Sequence, residues 1–451
     1  MGILNIDQID QFVIPFINDR RIPGVAVTVV DRGIVQCRKY GYADSKNNEK
    51  VNDLTLFEIG SMSKAFTALG ILWLENQGKI SCNDNVKQYL PWFEPYYIID
   101  KKRMVKDIKI LDLLYHTSGI PFQTLFNIPY DDNEQALYSN IWRMRNIKLV
   151  AEPGVTYHYS SNNYNVLAYI IEQVTQESYE LFIQKTILYP LGLFHTYLSR
   201  EEARKKGSLS CGHKLSFFKQ RSYNAPFIRG NLAGGYIMSC IHDMSRWLRI
   251  QMGIEDIGEE YKTLINKSHE GKYDLKENPG YKIAAAWHIN NDTDVIQYMG
   301  SNPNFSSKII FSPSKLWGIC VLANSNSSAT YYLADNILKC SKLRLIPPYC
   351  TGVFQKTDFF FTLLCGINVM SAMIIIPGLI LGKPNGVLGN GLIYLNLFVF
   401  WSLLTLITPY LMKKTFRWKA FYAWTSPAIL TAYFLGLIST LIAFLLCISI
   451  N

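Results

Sequence analysis

The sequence predicts an α+β domain followed by three transmembrane helices, and three observations carry that expectation. Charge is unevenly spread: the 451 residues hold 45 Lys+Arg and 35 Asp+Glu, yet 357–451 contain only Asp358, Lys383, Lys413, Lys414, Arg417 and Lys419. Short β-branched runs stand near both ends of residues 1–356. Between them, apolar residues recur at helical spacing. An apolar content of 49% with 18% charged residues excludes a disordered chain and a coiled coil.

In order, Val25–Val30, the turn Asp31-Arg-Gly33 and Ile34–Tyr40 read as two strands joined tightly. A helical pattern follows from Ser61 to Gln77 and closes at Gly78. Asp112 to Tyr115 is a second helix, stopped at Gly119 and Pro121. Tyr164 to Thr175 is helical through Val166, Leu167, Ile170, Ile171 and Val174. Ser306–Phe311 and Trp317–Ala323 pair around Ser312-Pro313. Terminal strands that enclose a helical middle indicate α+β.

The tail offers three uncharged stretches, Phe359–Gly382, Pro384–Met412 and Ala420–Asn451, each longer than the about 20 residues a bilayer core requires. Tyr394, Trp401, Tyr410, Trp418, Tyr422 and Trp424 suit interfacial belts. The expected organisation is an α+β domain over 1–346, a linker over 347–357 and a membrane anchor over 358–451. The lipid bilayer is then a partner, and the chain is a multi-pass protein of the cell (inner) membrane. The basic loop Lys413–Lys419 points to the cytoplasm, and Asp7, Asp10 and Asp19 interrupt any signal-peptide pattern.

Nine scattered cysteines show no Cys-x-x-Cys or Cys/His ligand spacing, so neither a structural zinc site nor another metal or cofactor is expected. The net charge of +10 comes with no basic stripe interleaved with aromatics, which excludes nucleic acid as a partner. A homodimer is left open.

The chemistry begins at Glu58-Ile-Gly-Ser-Met-Ser-Lys-Ala-Phe66. Positions i and i+3 share a helix face, so Lys64 can reach Ser61 Oγ. The positive end of the helix opposes the charged form of Lys64 and favours a neutral amine that acts as base. Ser216-Phe-Phe-Lys219 and Ser312-Pro-Ser-Lys315 repeat the Ser-x-x-Lys spacing without a preceding Gly or a following amphipathic helix.

Ser61-Met-Ser-Lys64, with Leu113-Leu-Tyr-His-Thr-Ser-Gly-Ile-Pro121, Glu152-Pro-Gly154, Tyr189-Pro-Leu-Gly192 and Leu232-Ala-Gly-Gly235, resembles the serine β-lactamase and penicillin-binding-protein superfamily in its class C-like branch. The likeness runs from Ile22 to Ser325. It implies a β-lactamase-like fold, an antiparallel sheet flanked by helices with an all-helical region. It also implies acylation of Ser61, proton transfer to Lys64 and a relay through a tyrosine. Tyr138-Ser-Asn140 is the literal match to the Tyr-x-Asn element. Tyr159 is nevertheless the expected residue, because Glu152-Pro-Gly154 precedes it and Asn162-Asn163-Tyr164 leads on into an apolar helix. By the same pattern the backbone N–H groups of Ser61 and Ser301 form the oxyanion hole, and Tyr298-Met-Gly300 replaces the usual Lys-Thr-Gly. Tyr298 and Gly300 would line the pocket, and a phenol carries no charge for holding a carboxylate. His116 and His158 are read as structural.

The combination with three terminal spans is similar to the prodrug-activating peptidases of nonribosomal-peptide pathways, such as those maturing colibactin and zwittermicin. That likeness implies removal of an N-acyl-D-asparagine cap from an acylated peptide prodrug, with the catalytic domain outside the cytoplasm. Ser161, Asn231 and Asn302 would hold the D-Asn amide. The alternatives are a penicillin-binding DD-peptidase, carboxylesterase or β-lactamase of the same fold, and a membrane-bound β-lactam sensor.

Overall fold

Strand Gly24–Asp31 sorts its side chains by parity, as a pleated strand must. Val25, Val27 and Val29 pack with Ile310, Ile319, Val321, Leu333 and Ile337 on one face, whereas Ala26 and Val30 join Ile309, Phe311, Cys320 and Leu322 on the other. Both faces are covered, so the strand reads as almost continuously apolar. The first face lies under helix Ile6–Arg20, which contributes Ile9, Phe12, Val13 and Ile17, and under helix Ala329–Leu343. The second lies under the helical middle of the chain, where Phe66 stacks on Trp247 with centroids 4.4 Å apart.

The computed structural model describes residues 6–276, 279–343, 353–380 and 422–449. Its main sheet has nine strands. In spatial order these are Tyr273–Asp274, Lys282–Ala284, Trp287–Asn290, Val295–Asn302, Phe305–Ser312, Trp317–Ala323, Gly24–Asp31, Ile34–Asp44 and Glu49–Lys50, each antiparallel to the next. Val25 faces Ala323 and Asp31 faces Trp317, so two segments almost 300 residues apart close the middle of the sheet. Strand Thr55–Glu58 lies outside it, pairs with Met238–Ser239, and delivers the chain into a 3₁₀ turn Gly60–Met62 and helix Ser63–Asn76.

The chain forms two compact units, Met1–His213 with Ser222–Tyr349, and Lys214–Arg221 with Cys350–Asn451. In the second, helices Val353–Ile380 and Pro427–Ser449 pack through Phe361, Cys365, Ala428, Ile429 and Ala432. Phe217 and Phe218, at the turn of a hairpin, both have positive φ. Both donate their N–H to the Asp358 carboxylate, at 3.1 and 2.8 Å, and the Ser426 hydroxyl donates to it as well.

Among the described residues no helix is long and apolar enough to cross a membrane. This corrects the expectation of three transmembrane helices, and with it the multi-pass membrane localisation. A count of charges treats every uncharged residue as apolar. The helices that form instead carry polar groups between them: Asp358 is 1% exposed, and Ser439 Oγ donates to Asn368 Oδ1 at 3.3 Å. The expected second span, Pro384–Met412, lies outside the described residues, as does most of the expected linker 347–357.

Candidate active site

Gly60 sets the position of Ser61. Its φ is +56°, and a Cβ there would stand 2.5 Å from Ser301 N and 2.8 Å from the Gly300 carbonyl carbon. Gly300 is equally constrained, since its own Cβ would meet Ile59 O at 2.0 Å. Two glycines thus let the 3₁₀ turn press against strand Val295–Asn302, which carries Tyr298, Gly300, Ser301 and Asn302. Hydroxyls lock the turn: Ser63 Oγ donates to Gly60 O at 2.7 Å and accepts from Ile237 N at 3.1 Å, and Ser307 Oγ donates to Ile59 O at 2.7 Å.

Ser61 Oγ stands 2.6 Å from the Tyr159 hydroxyl and accepts from Lys64 Nζ at 3.1 Å. Lys64 is fully buried, and also donates to Ser161 Oγ at 3.4 Å and to the Gly234 carbonyl. Among the described residues it forms no ion pair with a carboxylate; its amine lies 5.0 Å from the centre of the Tyr159 ring and 5.8 Å from that of Tyr164. Burial lowers its pKa below the ordinary lysine value, and Tyr159 only partly opposes this. Burial acts to raise the Tyr159 pKa; while Lys64 is protonated, its charge and hydrogen bonds from Lys64, Ser61 and Ser161 outweigh this and make the hydroxyl more acidic than an ordinary phenol. Tyr298, 5% exposed, is driven the other way by burial and by its interaction with Tyr159, so it stays a neutral phenol.

Of the competing tyrosines, only Tyr159 stands at Ser61. Tyr138 packs among Trp92, Trp142 and Tyr169, and Asn140 donates to Asn162 Oδ1 and Gly230 O, both at 2.8 Å. The other two Ser-x-x-Lys copies lie at hairpin turns, at Ser216–Lys219 and Ser312–Lys315, and neither opens a helix. His116 is buried, its ring 4.7 Å from that of Tyr159, with Nδ1 bonded to Asn163 Nδ2 at 2.9 Å and to Ser160 N at 3.3 Å. Burial, reinforced by Lys64, holds its pKa well below the usual imidazole range. A neutral His116 therefore props up the loop that carries Tyr159. His158 ties the same loop down through its backbone, donating its N–H to His116 O at 2.7 Å.

The other side of the pocket is built from amides. Asn165 Nδ2 bridges Asn162 Oδ1 at 2.8 Å and Asn231 Oδ1 at 2.9 Å, which turns the Asn231 amino group away from that partner. Asn302 Nδ2 donates to Glu58 Oε2 at 2.6 Å and to Gly235 O at 2.9 Å, which leaves its oxygen outward. Among the described residues neither Asn231 Nδ2 nor Asn302 Oδ1 makes a hydrogen bond. Both look onto one spot: a Cβ on Gly235 would lie 3.5 Å from Asn302 Oδ1, 3.7 Å from Asn231 Nδ2 and 3.7 Å from the Gly60 carbonyl carbon. Behind Asn302, the fully buried Glu58 pairs with Arg200.

Sequence reasoning missed the Gly234 carbonyl that accepts from Lys64, and the Glu58–Arg200 pair that orients Asn302. Glu58 stands three residues before Ser61, but nothing in its spacing relates it to Asn302, 244 positions further along the chain.

The β-lactamase family model matches residues 9–341. Protein flp of Staphylococcus aureus (strain N315) is 30% identical over 332 residues, covering 73% of this chain and 65% of that protein. The chain thus spans less than two thirds of that relative's length. A putative penicillin-binding protein, PbpX, of Bacillus subtilis (strain 168) is 37% identical over 188 residues, 41% of this chain and 44% of that one. Among solved structures, the octameric penicillin-binding protein homologue from Pyrococcus abyssi superposes with a TM-score of 0.63 at 25% identity, over 75% of this chain and 77% of that one. A class C β-lactamase gives 0.63 at 23% identity, over 76% and 99%.

Proposed function

Because the chain belongs to the β-lactamase family of serine hydrolases, we propose that Ser61 attacks an amide carbonyl and carries the acyl group, and that the substrate is an N-acyl-D-asparaginyl prodrug. Neutral Lys64 takes the Ser61 proton, either directly across 3.1 Å or through the Tyr159 hydroxyl. Ser61 Oγ bonds to the carbonyl carbon, and the oxygen gathers negative charge between the backbone N–H groups of Ser61 and Ser301. Tyr159 then passes a proton to the departing amine, and water repeats the sequence to free the acid.

The observation that carries the asparagine reading is the pairing of an open donor, Asn231 Nδ2, with an open acceptor, Asn302 Oδ1, beside Gly235 and Gly60. A primary amide offers one acceptor and two donors, so it matches both. A carboxylate would meet Asn302 Oδ1 with like-signed charge, and a methyl group would leave both atoms unmatched. Ser161 closes the pocket with a small hydroxyl beside Lys64. Tyr298 and Gly300 form its wall.

A second reading, a penicillin-reactive peptidase or β-lactamase, is favoured by similarity to the putative penicillin-binding protein of Bacillus subtilis. It has less support at Tyr298, where a neutral phenol replaces the cation that would hold a carboxylate.

The test is incubation of the full chain with an N-acyl-D-asparaginyl amide and with its L-isomer. Release of acyl-D-asparagine from the D-isomer alone, abolished in Ser61→Ala, is the expected result. Rapid penicillin labelling with no cleavage of either isomer favours the second reading instead.

A further inference from the structure

Directly after strand Met238–Ser239, Cys240, His242 and Asp243 stand together at the first turn of helix Ile241–Gln251. Their ligand atoms all lie within 4.8 Å of one another. We propose that these three side chains form a binding site for a divalent transition metal of the zinc class.

The donor set is a thiol sulfur, an imidazole nitrogen and a carboxylate oxygen, the mixture zinc prefers over calcium or magnesium. Much of the geometry is prepared. Asp243 is 1% exposed, and its Oδ2 is held by His195 N at 2.7 Å and Thr196 Oγ1 at 2.9 Å. That leaves Oδ1, which stands 3.1 Å from His242 Nδ1. Backbone and hydroxyl donors thus orient one ligand from behind, as outer partners do in metal sites. The His195 ring lies edge-on to His242 with centroids 5.6 Å apart, a candidate for the fourth position.

Access is also provided. His242 is exposed and borders a groove of about 660 Å³, while Cys240 is fully buried. The groove arginines Arg246 and Arg249 are both paired with Glu255, at 2.9 Å. On binding, a metal–sulfur bond replaces the Cys240 S–H bond, and the proton leaves to water. The bound ion would clip strand Met238–Ser239 to the helix that follows. That strand pairs Met238 with Glu58 and Ser239 with Phe57, on the segment that leads to Ser61. Cys-x-His-Asp is not a spacing on which sequence patterns for zinc are built, and His195 comes from a separate loop.

The test is titration of the metal-stripped, reduced full chain with cobalt(II), read by the charge-transfer absorption of a cobalt–thiolate bond and by the thermal midpoint. The expected result is a band that saturates at one cobalt per chain, disappears on adding zinc, and accompanies a raised midpoint. Cys240→Ser should abolish the band. His242→Ala, a change to an exposed ring, should weaken binding by at least ~10-fold, the scale on which even outer partners act. If Cys240→Ser does not fold, His242→Ala decides. Absence of a thiolate band at stoichiometric cobalt, or a band unchanged in His242→Ala, overturns the proposal.

Discussion

The two sides of the Ser61 pocket use burial for opposite ends. On one side, burial shifts ionisation: Lys64 is pushed towards the neutral amine, and Tyr159 is the more acidic phenol only while Lys64 carries its proton. On the other side the groups are neutral amides, and burial fixes only which end of each faces outward. Asn165 pins Asn231, and Glu58 pins Asn302. Proton transfer therefore depends on energies of ionisation, whereas recognition depends on which atoms are already spoken for. Changes on the two sides should fail in different ways.

The largest effects belong to the ionising side. Ser61→Ala and Lys64→Met should each lower kcat/KM by ~10³-fold or more, and Tyr159→Phe by about 10²-fold or more. Steady-state kinetics on the D-asparaginyl substrate measures both, and these losses should fall on kcat rather than KM. Next comes the support behind the amides. Glu58→Gln leaves Arg200 without its buried counter-charge and should cost about 3–5 kcal/mol of stability, seen by denaturant unfolding. Asn231→Ala removes one hydrogen bond to the substrate amide, worth ~1–2 kcal/mol. Its loss of roughly tenfold should appear mainly in KM for asparaginyl substrates, and far less with a small activated ester.

How much of this contrast can be read from sequence follows from its range along the chain. Ser61 and Lys64 lie three residues apart and share a turn, so local pattern finds them. Trp317–Ala323 is the expected strand residue for residue, and Ser306–Phe311 differs only by one residue at each end. The helix expected over Ser61–Gln77 opens with a 3₁₀ turn, because Gly60 must bend against Gly300 before the α-helix can begin. Helix Ile6–Arg20 escaped notice: Asp7, Asp10 and Pro15 interrupt its apolar pattern, and packing of Ile9, Phe12, Val13 and Ile17 on the sheet outweighs them. Glu58 with Asn302, and Val25 with Ala323, are joined only by the fold, and no local pattern encodes either pair. The tail misled for a different reason. Absence of charge is weaker evidence than presence of apolar surface, and Asp358, Asn368 and Ser439 are polar positions buried in the second unit.

Smaller effects appear as pH dependence. If neutral Lys64 is the base, kcat/KM should rise with pH through its folded-state pKa, so the acid limb should lie below the ordinary lysine value of 10.5. A limb at or above that value would contradict a buried amine as base. Away from the pocket, burial lowers His269 from 6.5 to about 3. Its folded form binds fewer protons than the unfolded chain between those values, so stability is fully present above pH 6.5 and is lost as pH falls towards 3. Thermal melts at stepped pH should show this loss, and His269→Gln should reduce it.

The central claim is that Ser61 carries the acyl group of an amide substrate. Intact-mass analysis of the full chain, quenched during turnover of an N-acyl-D-asparaginyl substrate and followed by peptide mapping, tests it directly. The account predicts an adduct with the mass of the acyl-asparaginyl group on the peptide that contains Ser61, enriched in Tyr159→Phe if deacylation slows more than acylation. Substrate cleavage by a Ser61→Ala protein, or an adduct on any other residue, would contradict it.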